Sequence, residues 1–131
     1  MVAEGEAQKD YGFFDQVTEL STHSGGHWGI GGLYGTMTDK WASPADPLFW
    51  LHHANVDRSW WSWQSKDLKS RVYDISGPIV PFDYGNQVAG NVTMDTPITI
   101  FETPKTQVKG KVWDVMHIQK GPLCYQYDDI Y

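Results

Sequence analysis

Histidines are the residues of this chain whose spacing predicts chemistry. The chain contains five, and four of them form two pairs, His23 with His27 and His52 with His53. Side chains four residues apart on an α-helix share one face, so the first pair can reach a common metal ion. Imidazole binds copper, zinc, iron and nickel, so this spacing predicts a metal site without choosing the metal.

The second pair gives this prediction more weight. His52 and His53 lie in an apolar stretch, Leu48 to Val56, and buried imidazoles need polar partners. A single His-x-x-x-His spacing is common on helix surfaces that bind nothing. Because both pairs occur close together in the chain, we favour a site in which a histidine of the second pair completes the ligand set of the first.

Two helices are predicted to position these pairs. Residues 11–22 have helical apolar spacing and lead up to or into His23, and the glycine-rich residues 25–35 predict a tight loop or a close backbone approach. Asp46 is a good N-cap and Pro47 suits the first helical position, so a second helix is expected from Pro47 to about Gln64. Helical spacing along it predicts one stripe of Phe49, His53, Asp57 and Trp60.

The remainder of the chain has a different residue pattern. Beyond Asp67, prolines separate short β-favouring runs, with candidate strands at Pro97 to Phe101 and Lys111 to Ile118. We therefore expect a mainly α fold, organised as one partial domain over residues 1–131. Its helical region would cover residues 11–64, and residues 65–131 would form loops and short strands.

Composition excludes several classes of partner. The net charge is -6 and no run of Lys or Arg occurs, so neither nucleic acid nor a membrane surface is expected. No apolar run approaches the roughly 18 residues of a membrane span. The polar first ten residues show no signal peptide, which predicts a cytoplasmic location if Met1 is the true start and leaves secretion open if the chain is a fragment.

Several motifs together resemble one family. The segments are His23-Ser-Gly-Gly-His27-Trp, then Gly31-Gly32, then Asp46-Pro-Leu-Phe-Trp-Leu-His-His-Ala-Asn-Val-Asp-Arg58, then Trp61-Ser-Trp-Gln64. They are similar to the second copper-binding region of the tyrosinase and catechol oxidase (polyphenol oxidase) family, most of all its short fungal members. Tyr125-Gln126-Tyr127 resembles the Tyr-x-Tyr motif that closes the family's catalytic domain.

The resemblance implies a fold and a ligand set. This chain would supply two of the four core helices of a tyrosinase-type di-copper bundle. One copper ion would be held by His23, His27 and His53, while His52 and Asp57 would orient these ligands from beside them. Glu19 is a candidate for the carboxylate that positions a water molecule in the family.

The resemblance also implies an activity that this chain cannot perform alone. Type-3 copper enzymes of the family use two copper ions and O₂ to oxidise phenols or o-diphenols to o-quinones, and two such ions need six imidazoles. This chain has five histidines, of which three match. We expect it to need a complementary chain carrying the first copper site. The alternatives are a stand-alone protein that binds one metal ion and a catalytically silent tyrosinase-like protein.

Overall fold

Helices and one β-hairpin account for the regular structure of residues 1–85 and 87–131, which the computed structural model describes. The helices are α1 (Val2–Glu6), α2 (Tyr11–Thr18), α3 (Ser24–Gly31), α4 (Pro47–Ser65) and α5 (Leu68–Arg71). The strands are β1 (Pro97–Thr103) and β2 (Thr106–Lys111), which pair antiparallel. The predicted mainly α fold with short strands is confirmed. None of the helices among these residues is long and apolar enough to cross a membrane.

The chain divides into two compact units. The helical unit comprises Met1–Lys9, Phe13–Lys66 and Tyr127–Tyr131, and the hairpin unit comprises Asp10–Gly12 and Asp67–Gln126. The change of residue pattern that the sequence places beyond Asp67 lies directly after the long middle segment of the helical unit, which ends at Lys66. All four paired histidines belong to the helical unit.

Helix α4 begins where its sequence predicts. The Asp46 carboxylate accepts a hydrogen bond from the Leu48 amide at 3.0 Å, and Pro47 occupies the first turn. The cap satisfies one of the amides that have no partner inside the helix, and proline has no amide to satisfy. The predicted end at about Gln64 lies one residue from the observed end at Ser65.

The glycine-rich segment corrects one expectation. Residues 24–31 form α3 instead of a loop, and the irregular backbone begins only at Gly32, whose φ is 58°. The other reading of these glycines, a close approach, is right for Gly26. A Cβ there would come within 3 Å of the His52 ring. Packing against α4 therefore outweighs the low helix propensity of glycine.

The hairpin corrects a second expectation. Pro97 to Phe101 is a strand as predicted, but its partner is Thr106–Lys111, earlier in the chain than the predicted Lys111 to Ile118. Residues Val112–Val115 form a 3₁₀ turn, because the Asp114 carboxylate accepts the Lys111 amide at 2.8 Å and bends the backbone. The alternating pattern that resembled a strand there belongs to this turn and the irregular segment after it.

The core of the helical unit lies on the C-terminal half of α4. Trp63 is fully buried, stacks on Phe14 with ring centroids 5.4 Å apart, and donates its indole N–H to the Gln8 carbonyl at 2.8 Å. The N-terminal half of the same helix is exposed at Leu48, Trp50 and Leu51. Helix α4 therefore anchors the unit with one half and presents apolar side chains with the other.

Two substitutions of Trp63 should separate the contribution of its ring packing to stability from that of its hydrogen bond. We expect Trp63→Ala to lower the free energy of unfolding by about 3–5 kcal/mol, because it removes a buried aromatic side chain. Trp63→Phe keeps an aromatic ring and loses the bond to Gln8, so it should cost about 1–3 kcal/mol. Urea unfolding of the metal-free chain measures both. Equal losses in the two variants would contradict this division.

Candidate metal centre

The first pair of histidines spans an unusual helical turn and the helix after it: His23 ends the turn and His27 lies in α3. Residues Glu19–His23 form a π-helical turn between α2 and α3. Serine hydroxyls reinforce it, since Ser21 donates to the Val17 carbonyl at 2.5 Å and Ser24 donates to the Glu19 carbonyl. Hydroxyls that bond back to carbonyls bend helices, and single π turns inside α-helices often occur at functional sites.

His23 and His27 each use one ring nitrogen to hold their orientation. Nδ1 of His23 lies 2.5 Å from a carboxylate oxygen of Glu19, and Nδ1 of His27 lies 2.6 Å from the carbonyl oxygen of Met37. Because both partners are acceptors, we assign the ring proton of each histidine to Nδ1. The lone pair of each ring is then on Nε2, the atom that remains available to a metal ion.

Two other histidines place their Nε2 atoms close to Nε2 of His27. Nε2 of His27 lies 3.2 Å from Nε2 of His23 and 3.2 Å from Nε2 of His53. For a metal–nitrogen bond of about 2.0 Å, neighbouring ligand atoms of a tetrahedral or trigonal site lie about 3.3–3.5 Å apart. Lone pairs that face one another need a cation between them, either a proton or a metal ion. The spacing therefore fits a metal ion bound by imidazoles.

His53 is neutral over most of the pH range. Burial, followed by the neighbouring charges of His23 and His27, lowers the pKa of His53 to about 4. A neutral imidazole is the form that binds metals, so protons compete weakly for this ring. Its position is supported on α4 by Phe49, whose ring lies 4.1 Å from the His53 ring, centroid to centroid, at an interplanar angle of 29°.

His52 lies beside the same cluster but has a different hydrogen-bonding partner. Its Nε2 lies 2.9 Å from the carbonyl oxygen of His23, to which it donates, and its ring packs over Gly26. Burial lowers the pKa of His52, opposed by this hydrogen bond. One ring nitrogen each of His23, His27 and His52 also lie within 4.8 Å of one another, so His52 and His53 both stand close enough to complete a three-histidine group.

The two carboxylates that the sequence singled out, Glu19 and Asp57, have identifiable contacts. Glu19 holds Nδ1 of His23, a carboxylate–histidine pair of the kind that supports metal ligands, and this contact was not predicted from sequence. Asp57, one turn after His53, accepts the hydroxyl of Tyr127 at 2.6 Å. The π turn and the Met37 carbonyl were also missed. The run of Ser21, Thr22 and Ser24 was the available signal for the π turn.

Comparison with known proteins places this site in a family. Residues 2–66 match the common central domain of tyrosinase. The chain is 34% identical over 129 residues to the tyrosinase-like protein phomQ1 of Diaporthe leptostromiformis, covering 97% of this chain and 31% of that protein. It is 32% identical over 118 residues to tyrosinase P of Aspergillus terreus, covering 88% of this chain and 30% of that protein.

A third relative is named as an oxidase and not as a tyrosinase. The N-acetyl-6-hydroxytryptophan oxidase ivoB of Emericella nidulans is 32% identical over 117 residues, which cover 83% of this chain and 29% of that protein. The chain thus spans about a third of the length of the relatives it matches. It belongs to the tyrosinase family.

Exchanging single glycines of α3 should test the packing of His52. A methyl group at Gly26 would collide with the His52 ring, whereas a methyl group at Gly29 has no neighbouring atom within 4 Å. We expect Gly26→Ala to destabilise the metal-free chain by about 1–3 kcal/mol through overpacking. Gly29→Ala should leave stability unchanged or raise it by up to about 1 kcal/mol. Thermal unfolding of both variants measures this difference, and equal effects would show that α3 and His52 are not in contact.

Proposed function

We propose that this chain is the second-copper part of a type-3 copper oxidoreductase and binds one copper ion through His23, His27 and His53. The observation that carries the proposal is the position of Nε2 of His27, which lies 3.2 Å from Nε2 of His23 and 3.2 Å from Nε2 of His53. Family membership supports the choice of copper among the metals that imidazole binds.

The choice of His53 over His52 as the third ligand rests on hydrogen bonding. Nε2 of His52 is used by the His23 carbonyl at 2.9 Å. Nε2 of His53 lies directly opposite Nε2 of His27. In the proposed site His52 locks the backbone of α3 to α4, which keeps His23 and His27 facing His53.

The residues around the site would orient its imidazoles for copper. Glu19 and the Met37 carbonyl keep the ring protons of His23 and His27 on Nδ1, and the low pKa of His53 keeps that ring neutral. Bound copper would supply one-electron redox chemistry. The family's oxidation of o-diphenols by O₂ needs two such copper centres. The substrate we propose is a phenol or o-diphenol.

A complementary chain carrying the first copper site is the proposed partner. Apolar side chains next to the histidines support this proposal: Trp28 follows His27 and is 57% exposed, and Leu51 precedes His52 and is 69% exposed. Trp50 is 63% exposed on the same helix. Large apolar side chains gathered at the surface of one helix mark an interaction site. The absence of charged residues between Pro47 and Val56 suits an apolar partner surface.

Copper content of single variants tests the ligand set. We expect one copper ion per chain in the wild type and loss of copper in His53→Ala, because only two ligand nitrogens remain. His52→Ala should retain copper and lose stability, since it removes the bond to the His23 carbonyl. Metal analysis after dialysis, with calorimetric unfolding, gives both quantities. Copper retained in His53→Ala and lost in His52→Ala would reverse the assignment.

Oxidase assays test the need for a partner. We expect the isolated chain, loaded with one copper ion, to produce no o-quinone from catechol above the rate of free copper. The reason is that five histidines cannot supply two three-histidine sites. Absorbance of the quinone measures the rate, and His53→Ala incubated with the same copper is the matched control. Sustained turnover by a monomeric chain with one copper ion would contradict the proposal.

A further inference from the structure

The residues Tyr127–Tyr131, here called the C-terminal clasp, lie along α4 within the helical unit. The hydroxyl of Tyr127 is 2.6 Å from Oδ2 of Asp57 and 3.0 Å from the Ala54 carbonyl oxygen. At the other end of the clasp, the Tyr131 amide donates to the Ser62 hydroxyl at 3.0 Å and the Tyr131 hydroxyl donates to Oδ1 of Asn55 at 2.8 Å. All four contacts fall on the part of α4 that begins immediately after His53.

We propose that Tyr127 is a positioning residue for the metal centre, which it stabilises through Asp57 and the Ala54 carbonyl on the turn of α4 that follows His53. The inference rests on the proposed role of His53 as a ligand. Tyr127 does not act on the metal ion itself. Its effect is to fix the rotational position of α4 about the helix axis, and therefore the direction in which the His53 ring points.

Helix geometry explains why the contact reaches His53. Side chains four residues apart lie on one face, and each leans toward the turn that precedes it. Asp57 therefore leans over the turn that carries His53 and Ala54. The Phe49 ring, stacked on His53 at 4.1 Å, supports the ligand from the preceding turn. His53 is thus held between a packed ring on one side and a hydrogen-bonded turn on the other.

The Tyr127 hydroxyl is well suited to this role. It carries a single proton and faces two acceptors, and the shorter contact is the one to the Asp57 carboxylate, where a charged acceptor strengthens the bond. Burial, and then the hydrogen bond to Asp57, raise the pKa of Tyr127 well above its usual value. The hydroxyl therefore stays protonated and remains a donor. Phenylalanine at this position would keep the ring and lose both contacts.

Tyr131 provides a matched control within the same clasp. Its hydroxyl bonds to Asn55, and its ring lies under the Arg58 guanidinium, 4.1 Å from the ring centroid. Asn55 is two residues from His53, and such residues do not share a helix face. Tyr131→Phe therefore removes one hydroxyl from the same segment and the same helix without touching Asp57 or Ala54.

The experiment compares Tyr127→Phe with Tyr131→Phe by three readouts. In the metal-free chain, nitrogen-15 NMR reports the ring shifts of His53. With Cu(II), titration gives Kd and electron paramagnetic resonance gives the ligand field. We expect Tyr127→Phe to shift the His53 ring signals, weaken copper binding roughly 10-fold and alter the copper spectrum. Tyr131→Phe should leave all three at wild-type values, although both variants lower the Tm.

Each other outcome has a definite meaning. If Tyr127→Phe lowers the Tm but leaves the His53 shifts and copper Kd unchanged, the clasp is only structural and the proposal is overturned. Equal loss of copper in both variants overturns it as well. If the wild-type chain binds no copper, the proposed function fails, and the His53 shifts of the metal-free variants still decide the positioning role. Should Tyr127→Phe not fold, Asp57→Asn, which keeps the volume and removes the charge, is expected to shift the same signals by less, and no shift overturns the proposal.

Discussion

The location of the imidazole protons is the constraint on which the candidate centre depends. A neutral imidazole has one N–H and one lone pair, so whatever accepts its proton decides which nitrogen is free. Glu19 and the Met37 carbonyl accept from Nδ1 of His23 and His27, which leaves both Nε2 lone pairs free; Nε2 of His27 lies 3.2 Å from Nε2 of His23 and of His53. The π turn Glu19–His23 and the 3₁₀ turn Thr36–Thr38, which holds Met37, are therefore part of the site.

Helix α4 combines three roles in sequence along its length. Its first turns carry exposed apolar side chains, its middle carries His52, His53 and Asp57, and its last turns bury Trp61 and Trp63 in the core. A helix that is apolar on most sides is normally covered on most sides. The buried end anchors the helix within its own unit, while the exposed end is where the proposed complementary chain would pack. The histidines of α4 lie between its exposed end and its buried end.

Local signals predicted α4 well because they act within one or two turns. Asp46 and Pro47 set its beginning through hydrogen bonds and backbone geometry close in sequence. The same local signals failed for α3, where glycines predicted a loop and the contact between Gly26 and His52 favours a helix. They failed again at residues 112–115, because the Asp114 carboxylate turned a strand-like pattern into a 3₁₀ turn. In the first case the deciding contact came from a distant part of the chain.

The amino-acid sequence by itself determined which residue types are available and their helical spacing, and the family motif singled out His23, His27 and His53. It could not determine which nitrogen of each ring faces the centre. Neighbouring residues on a helix point about 100° apart, so His52 and His53 are equally close to α3 by spacing alone. The tertiary structure separates them: the His23 carbonyl accepts from Nε2 of His52, and Nε2 of His53 faces that of His27. Such choices depend on backbone atoms brought near by packing, and no local pattern of side chains encodes where those atoms will lie.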